Sequence, residues 1–186
     1  DYFVAQENNP AEYLDQLYPA RLLRYSIHRD SGGPGRWRGG CGVVREIEWL
    51  GPDALLANRL DGTIAAPWGG KGGMCGRSGG VTLNPGRPGE RKLPPLGDNT
   101  PVRRGDVIRI ETTGGGGWGH PHDREPERVL ADVLGDFVSR ASARDDYAVV
   151  LNAAGDAVDV DATAALRGRR TPAKMFHRDA YLDAMN

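Results

Sequence analysis

Apolar positions along the chain follow two regimes. Up to about residue 120 they come in short runs with a period of two, interrupted by glycine; beyond it they recur at spacings of three and four. Leu23, Tyr25 and Ile27 alternate with Arg24, Ser26 and His28, which predicts a strand over 21–29. A second strand is predicted over 43–50, with Val43, Arg45, Ile47 and Trp49 on one face and Val44, Glu46, Glu48 and Leu50 on the other. Its imperfect alternation suits a strand partly covered on both sides. Residues 55–60 suggest a third strand and Val81–Asn84 a brief one, while 85–100 read mostly as turn. Val107–Thr112 is the clearest strand, with Gly105-Asp106 before it and Gly114–Gly117 after it reading as turn chemistry. Ahead of these, Asn9 is placed to cap a short helix with Pro10 at its first position. Tyr13, Leu14, Leu17 and Tyr18 form its apolar face, and Pro19 ends it.

After Trp118 the pattern turns helical. Asp123 is expected to open a helix with Pro126 in its first turn and Val129, Leu130, Val133, Leu134 and Phe137 on one stripe. Ser139 is expected to cap a second short helix, Tyr147–Leu151 to form a strand, Asp156–Val160 to return like a hairpin, and Asp161 to cap a last helix. Strands followed by helices give an α+β chain: a β-rich glycine-loop domain over 1–120, then a short helical segment over 121–170 with one strand or hairpin, then a tail over 171–186.

Composition sharpens this picture at a few points. With 27 glycines and 13 prolines, but 39% hydrophobic residues, the chain reads as loop-rich and folded rather than disordered. Lys+Arg (24) and Asp+Glu (25) nearly cancel, so no global field draws nucleic acid or an anionic membrane. Cys41 and Cys75 form neither a disulfide framework nor a Cys-x-x-Cys zinc site, and both are expected reduced. No signal peptide or apolar run approaching about 18 residues is seen, which leads to an expected cytoplasmic location with no membrane partner. The first residue is Asp1 rather than Met, so the chain is processed, cut for expression, or a piece of something longer.

Two widely separated glycine-punctuated blocks dominate the motifs, Asp30–Glu46 and Gly105–His120. A third glycine-rich loop runs from Ala66 to Gly80. Its Gly-Gly-Lys-Gly-Gly does not satisfy the phosphate-binding loop pattern, because Gly72 stands where Ser or Thr is required after Lys71. The Gly114–Gly119 run lacks the spacing and downstream acid of a dinucleotide fingerprint. His120 and His122 flank Pro121 beside Asp123; such a pair can grip a metal, or can simply face solvent at a helix start. No Ser, Cys or Asp stands in a nucleophile context. Trp68 and Trp118 each adjoin a glycine loop, either offering flat apolar surface to a small cyclic substrate or packing in the β core.

Taken in order, Asp30–Glu46, Pro67–Gly80 with Leu83-Asn84-Pro85, Gly105–Pro121, Asp123–Asp132 and Val138–Leu151 resemble the C-terminal portion of the hydantoinase B/oxoprolinase B-subunit family, over roughly residues 7–170. The resemblance implies a share in an ATP-dependent hydrolase of cyclic amides, or in a related carboxylase of ketones such as acetone or acetophenone. It also implies an A-type partner subunit that binds ATP and activates substrate, and a divalent metal held by the N-terminal portion of the B-type polypeptide. No metal ligand and no catalytic residue is carried over onto this chain. The expected contribution is scaffold and one active-site wall, with Trp68, Gly115, Gly116, Trp118 and His120 as substrate-binding candidates. The non-enzymatic alternative is an assembly module that docks other subunits through its helices and tail.

Overall fold

The computed structural model describes residues 10–169. Both Asn9, expected as a helix cap, and the 171–186 tail lie outside the described residues. The fold is α+β, with seven short strands, four short α-helices and one 3-10 turn among the described residues. The chain divides into two compact units, one built from residues 10–25, Arg45–Arg59 and Val81–Ile110, the other from Ser26–Val44, Leu60–Gly80 and residues 111–169.

The first unit opens with α1 (Ala11–Leu17), preceded by Pro10 and lacking a side-chain cap. Pro10 sits at the cap position rather than the first helical one, so the helix starts one residue later than the sequence suggests. The unit carries a five-stranded sheet in the order β1 (Ala20–Ile27), β2 (Val43–Trp49), β7 (Val107–Glu111), β4 (Gly80–Leu83), β5 (Arg91–Leu93). Its core lies at the middle strands, where Val81, Leu83 and Val107 are almost fully buried. Burying side chains of this size stabilises by about 1.5–3 kcal/mol each relative to exposure, so apolar β7 takes the centre and Arg-rich β1 and β5 the edges. Asn84 follows β4 with a positive φ of 52°. Its side chain donates to Asp106 at 2.8 Å and accepts from the Val107 amide at 2.9 Å, which fixes the turn. A two-stranded antiparallel ribbon joins β3 (Ala54–Arg59) to β6 (Leu96–Val102), with an irregularity between Leu56 and Asn58. Both β5 and β6 fall in the stretch expected to be turn. Their Pro, Gly and charged residues carry no alternation, and they become strands through pairing with β4 and β3.

The second unit contains the glycine-rich segments and the remaining helices. Pro121–Asp123 forms a 3-10 turn, and α2 (Pro126–Leu134) starts three residues after Asp123 with Glu125 at its cap position. Asp123 therefore does not cap α2; Pro126 at the first helical position sets the start instead. Ser139 does cap α3 (Arg140–Asp145), accepting from the Ser142 amide at 3.0 Å. Asp159, rather than Asp161, caps α4 (Val160–Arg167), accepting from the Ala162 amide at 3.0 Å. Val129, Val138, Ala143, Tyr147 and Val149 form the core of this region, with Val133, Phe137, Leu151 and Val158 packed against it. Tyr147–Leu151 is not a strand. Only Leu151 makes a bridge, to Val158, and the apolar run reflects burial within the helical cluster.

Candidate functional site

Three glycine-rich segments of the second unit, 31–42, 67–79 and 112–119, run side by side with no helix or regular strand. Their backbones are cross-linked directly. Gly33 donates to the Gly115 carbonyl at 2.8 Å and Gly115 to Gly40 at 2.9 Å; Met74 donates to Pro34 at 2.7 Å and Gly117 to Met74 at 2.9 Å; Gly70 donates to Gly117 and Gly119 to Gly70, each at 2.9 Å. Every segment is therefore bonded to the other two.

This packing explains the glycines. Among the bundle's glycines only Gly72 and Gly119 have positive φ. Most of the others are needed for space: a Cβ on Gly39 would run into the Gly115 carbonyl, one on Gly114 into Ser31, one on Gly116 into Trp68 and one on Gly117 into Pro34, whereas Gly40 and Gly115 have room for one. As on the crowded axis of collagen, only glycine fits where backbone meets backbone. The turn reading of Gly114–Gly117 is thus replaced by an extended run held between two others.

The bundle ends in aromatic side chains. Trp37 and Trp118 exchange backbone hydrogen bonds at 2.9 Å in both directions, which holds the two tryptophans at neighbouring positions. Trp37, Trp68 and Trp118 are 52%, 75% and 53% exposed, so none of them packs a β core. The Trp118 ring lies against Gly70, and the Lys71 ammonium stands 5.5 Å from its centroid. Arg36 and Arg128 stand 5.9 and 5.5 Å from the Trp37 ring. Cations over aromatic faces fix ring orientation at modest energies, about 0.5–1 kcal/mol when exposed. Arg36, Trp37, Asp123, Arg124, Glu125 and Arg128 line a cavity of about 50 Å³. That is room for water, far below the several hundred Å³ of a ligand pocket.

Among the substrate-binding candidates, the bundle brings Trp118 and His120 to one end, with Gly72 so placed that a Cβ on it would stand 3.8 Å from the His120 amide. His120 is half-buried; its Nδ1 accepts from the His122 amide at 3.1 Å, and the two imidazoles meet edge to face with centroids 4.7 Å apart. Gly115 and Gly116 lie within the bundle. Gly116 is pressed against the Trp68 carbonyl, whereas a Cβ on Gly115 would make ordinary contact with Gly40 at 3.4 Å. Sequence reasoning alone does not select Trp37, Lys71 or Arg36. The available signal is the parallel between Gly35-Arg-Trp37 and Gly116-Gly-Trp118, each a glycine segment closing on tryptophan.

Behind the aromatic end lies a buried ion network. Asp132 on α2 accepts from Arg124 Nε and Nη2 at 3.1 and 2.8 Å and from Arg38 Nε at 3.3 Å. Arg124 also donates to the Arg36 carbonyl at 3.0 Å, and Arg38 to the Gly39 carbonyl at 2.7 Å. One carboxylate thus ties the first glycine segment to the helical region. Tyr147 is buried nearby, and its hydroxyl has no hydrogen-bond partner. Burial pushes its phenol above the ordinary value, Arg124 pulls it partly back and Asp132 pushes it up again. Burial also lowers the Arg167 guanidinium from its usual value, against the pull of Asp123 and Glu127.

Among the described residues, no group of three or more His, Cys, Asp or Glu side chains could hold a metal ion. His120, His122 and Asp123 do not form such a group. No described helix is long and apolar enough to cross a membrane.

A profile of the hydantoinase B/oxoprolinase family matches residues 3–121, a span holding all three glycine segments. The chain belongs to this family. It is 35% identical to the B-type polypeptide of a putative D-/L-hydantoinase from Pseudomonas sp. strain NS671 over 166 residues, 89% of this chain and 28% of that protein. The fold resembles the crystal structure of an ATP-dependent caprolactamase from Pseudomonas jessenii, with a TM-score of 0.73 and 30% identity over 87% of this chain and 28% of that one. It also resembles a nucleotide-free acetone carboxylase, with a TM-score of 0.74 and 25% identity over 88% of this chain and 26% of that one. The chain therefore spans little more than a quarter of the length of these relatives.

Proposed function

We propose that this chain is a portion of a B-type subunit in an ATP-dependent hydrolase of cyclic amides, of the hydantoinase and oxoprolinase type, and that the end of its glycine bundle forms one wall of the active site. The observation that carries this reading is the exposed Trp37–Trp118 pair, with Trp68 also exposed, on a bundle whose backbones pack directly against one another. A rigid platform with flat rings suits a small, planar, neutral ring such as a lactam or hydantoin. The 50 Å³ cavity beside Trp37 is too small to enclose such a ring, and in this reading a second wall comes from another polypeptide. The partners in this reading are an A-type subunit that binds ATP and the remainder of the B-type polypeptide. In this reading ATP and any divalent metal belong to them; none of this chain's glycine loops has the phosphate-binding pattern.

The test is ATP turnover by the chain reassembled with its A-type and remaining B-type partners, read as ADP release with hydantoin, 5-oxoproline and caprolactam. Ring-dependent turnover is expected, with kcat/KM falling at least tenfold in Trp118→Ala while Tm moves little, because Trp118 is half exposed. A tenfold loss corresponds to about 1.4 kcal/mol of transition-state stabilisation. No ring-dependent turnover would retire the hydrolase reading. The likeness to acetone carboxylase supports a second reading, an ATP-dependent ketone carboxylase. Turnover that requires bicarbonate and a ketone would establish it in place of the first.

A further inference from the structure

Among the described residues, the first unit leaves an apolar face uncovered on α1 and β1. Tyr13, Leu17, Tyr18, Leu23 and Tyr25 are between 43% and 61% exposed, all within one stretch of thirteen residues. The helix buries none of its residues. Leu23 and Tyr25, two apart on β1, point to one side of the strand, and β1 is the terminal strand of its sheet. Natural sheets seldom leave an apolar edge strand open, because it templates pairing with another chain. Scattered apolar side chains on a surface are ordinary, but this grouping on consecutive elements is the mark of an interface.

We propose that this face is where the remainder of the B-type polypeptide docks, by adding an extended segment along β1 and covering the apolar side of α1. The inference rests on the B-type reading above and assigns that partner a place. The occupant is argued from length: the chain accounts for 28% of the hydantoinase polypeptide and 28% of the caprolactamase chain, so most of a B-type polypeptide lies outside it. Both elements carrying the face fall inside the family-matched span. Charge specifies the partner further. Arg21 and Arg24 on β1 are 60% and 49% exposed at the side chain, with Glu48 at 3.8 Å from the first and Glu46 at 3.9 Å from the second. Arg21 shares the side of Leu23 and Tyr25 and Arg24 lies on the other, so the incoming strand is expected to set apolar residues against Leu23 and Tyr25 and an acidic residue on each side, against Arg21 and Arg24.

The experiment mixes the full chain with the separately expressed remainder of the B-type polypeptide from the same genome, and reads complex formation by light scattering and titration. The expected result is a one-to-one complex whose Kd rises at least a hundredfold in Leu23→Glu/Tyr25→Glu and in Leu17→Glu/Tyr18→Glu. Leu55→Glu, at an exposed position on β3, should leave it unchanged. Matching Tm values for the variants establish that folding is intact. If a variant fails to fold, amide exchange on the wild-type chain decides, because residues 11–27 must gain protection in the complex. A complex indifferent to the substitutions and without that protection overturns the proposal. So does a homodimer of the isolated chain that the same substitutions dissolve, or protection of residues 11–27 in the isolated chain that deleting 171–186 abolishes. The readout is binding, so an assembled complex without ring-dependent ATP turnover retires the functional reading alone, and an active assembly indifferent to the substitutions retires the surface alone.

Discussion

Gly115 and Gly116 are adjacent, share the same segment and look equivalent in sequence, yet the packing assigns them opposite responses to alanine. A Cβ on Gly116 would collide with the carbonyl of Trp68, a backbone group held in the bundle, so the neighbouring segment must shift to admit it. Forcing extra atoms into well-packed surroundings costs about 1–3 kcal/mol. A Cβ on Gly115 would meet only the Gly40 amide at 3.4 Å and its carbonyl at 3.8 Å, ordinary contact distances. Gly115 also has no positive φ to strain. There the main effect is on the unfolded chain, whose lost freedom favours the folded state by about 0.4–1 kcal/mol. For a chain of this size each kcal/mol moves Tm by about 2–4 °C. Gly116→Ala should then lower Tm by roughly 2–12 °C and Gly115→Ala raise it by roughly 1–4 °C. Thermal unfolding followed by tryptophan fluorescence reads the bundle directly, since Trp37 and Trp118 sit on it. Equal losses from both substitutions, or a gain from Gly116→Ala, would refute the account of the bundle as backbone packed on backbone.

Asp132→Ala leaves one buried and one half-buried guanidinium, Arg124 and Arg38, without their carboxylate. The expected loss is about 3–5 kcal/mol in urea unfolding, and recovery by the further change Arg124→Met would identify the stranded charge as the cause. Tyr147→Phe removes a buried hydroxyl that has no partner, so stability at pH 7 should hold or rise slightly. The pH dependence follows from the direction of the phenol shift. Burial raises its folded-state value, so the folded form keeps its proton where the unfolded form loses it. Stability is full below the unfolded tyrosine value of about 10 and falls as pH rises past it. Tyr147→Phe should flatten that alkaline slope in unfolding titrations between about pH 9 and 11, and an unchanged slope would place its cause elsewhere. Ser139→Ala removes the cap of α3 and should cost about 1 kcal/mol by the same assay.

By itself the sequence determined the elements whose evidence is local. The alternation of Val107–Thr112 and of 43–50 makes strands wherever one face is buried, and Ser139 caps α3 because its hydroxyl reaches the amide three residues on. The ordered glycine motifs identified the family for the same reason, since each motif is contiguous. Tertiary structure decided the rest. Glycine runs look like turns because glycine permits positive φ, but nothing in a single run says that two others will lie against it. That requirement for space exists only once segments 31–42, 67–79 and 112–119 meet. β5 and β6 likewise lack a pattern of their own and are strands through their partners. The Tyr147–Leu151 run is apolar because helices surround it, a cause that period-two reading cannot separate from a sheet. Asp123 lost the α2 cap to a 3-10 turn that Pro121 begins. At the candidate site, Trp68 and Trp118 were visible as tryptophans beside glycines. That Trp37 joins Trp118, and that all three rings stay exposed, follows from where three distant segments end together.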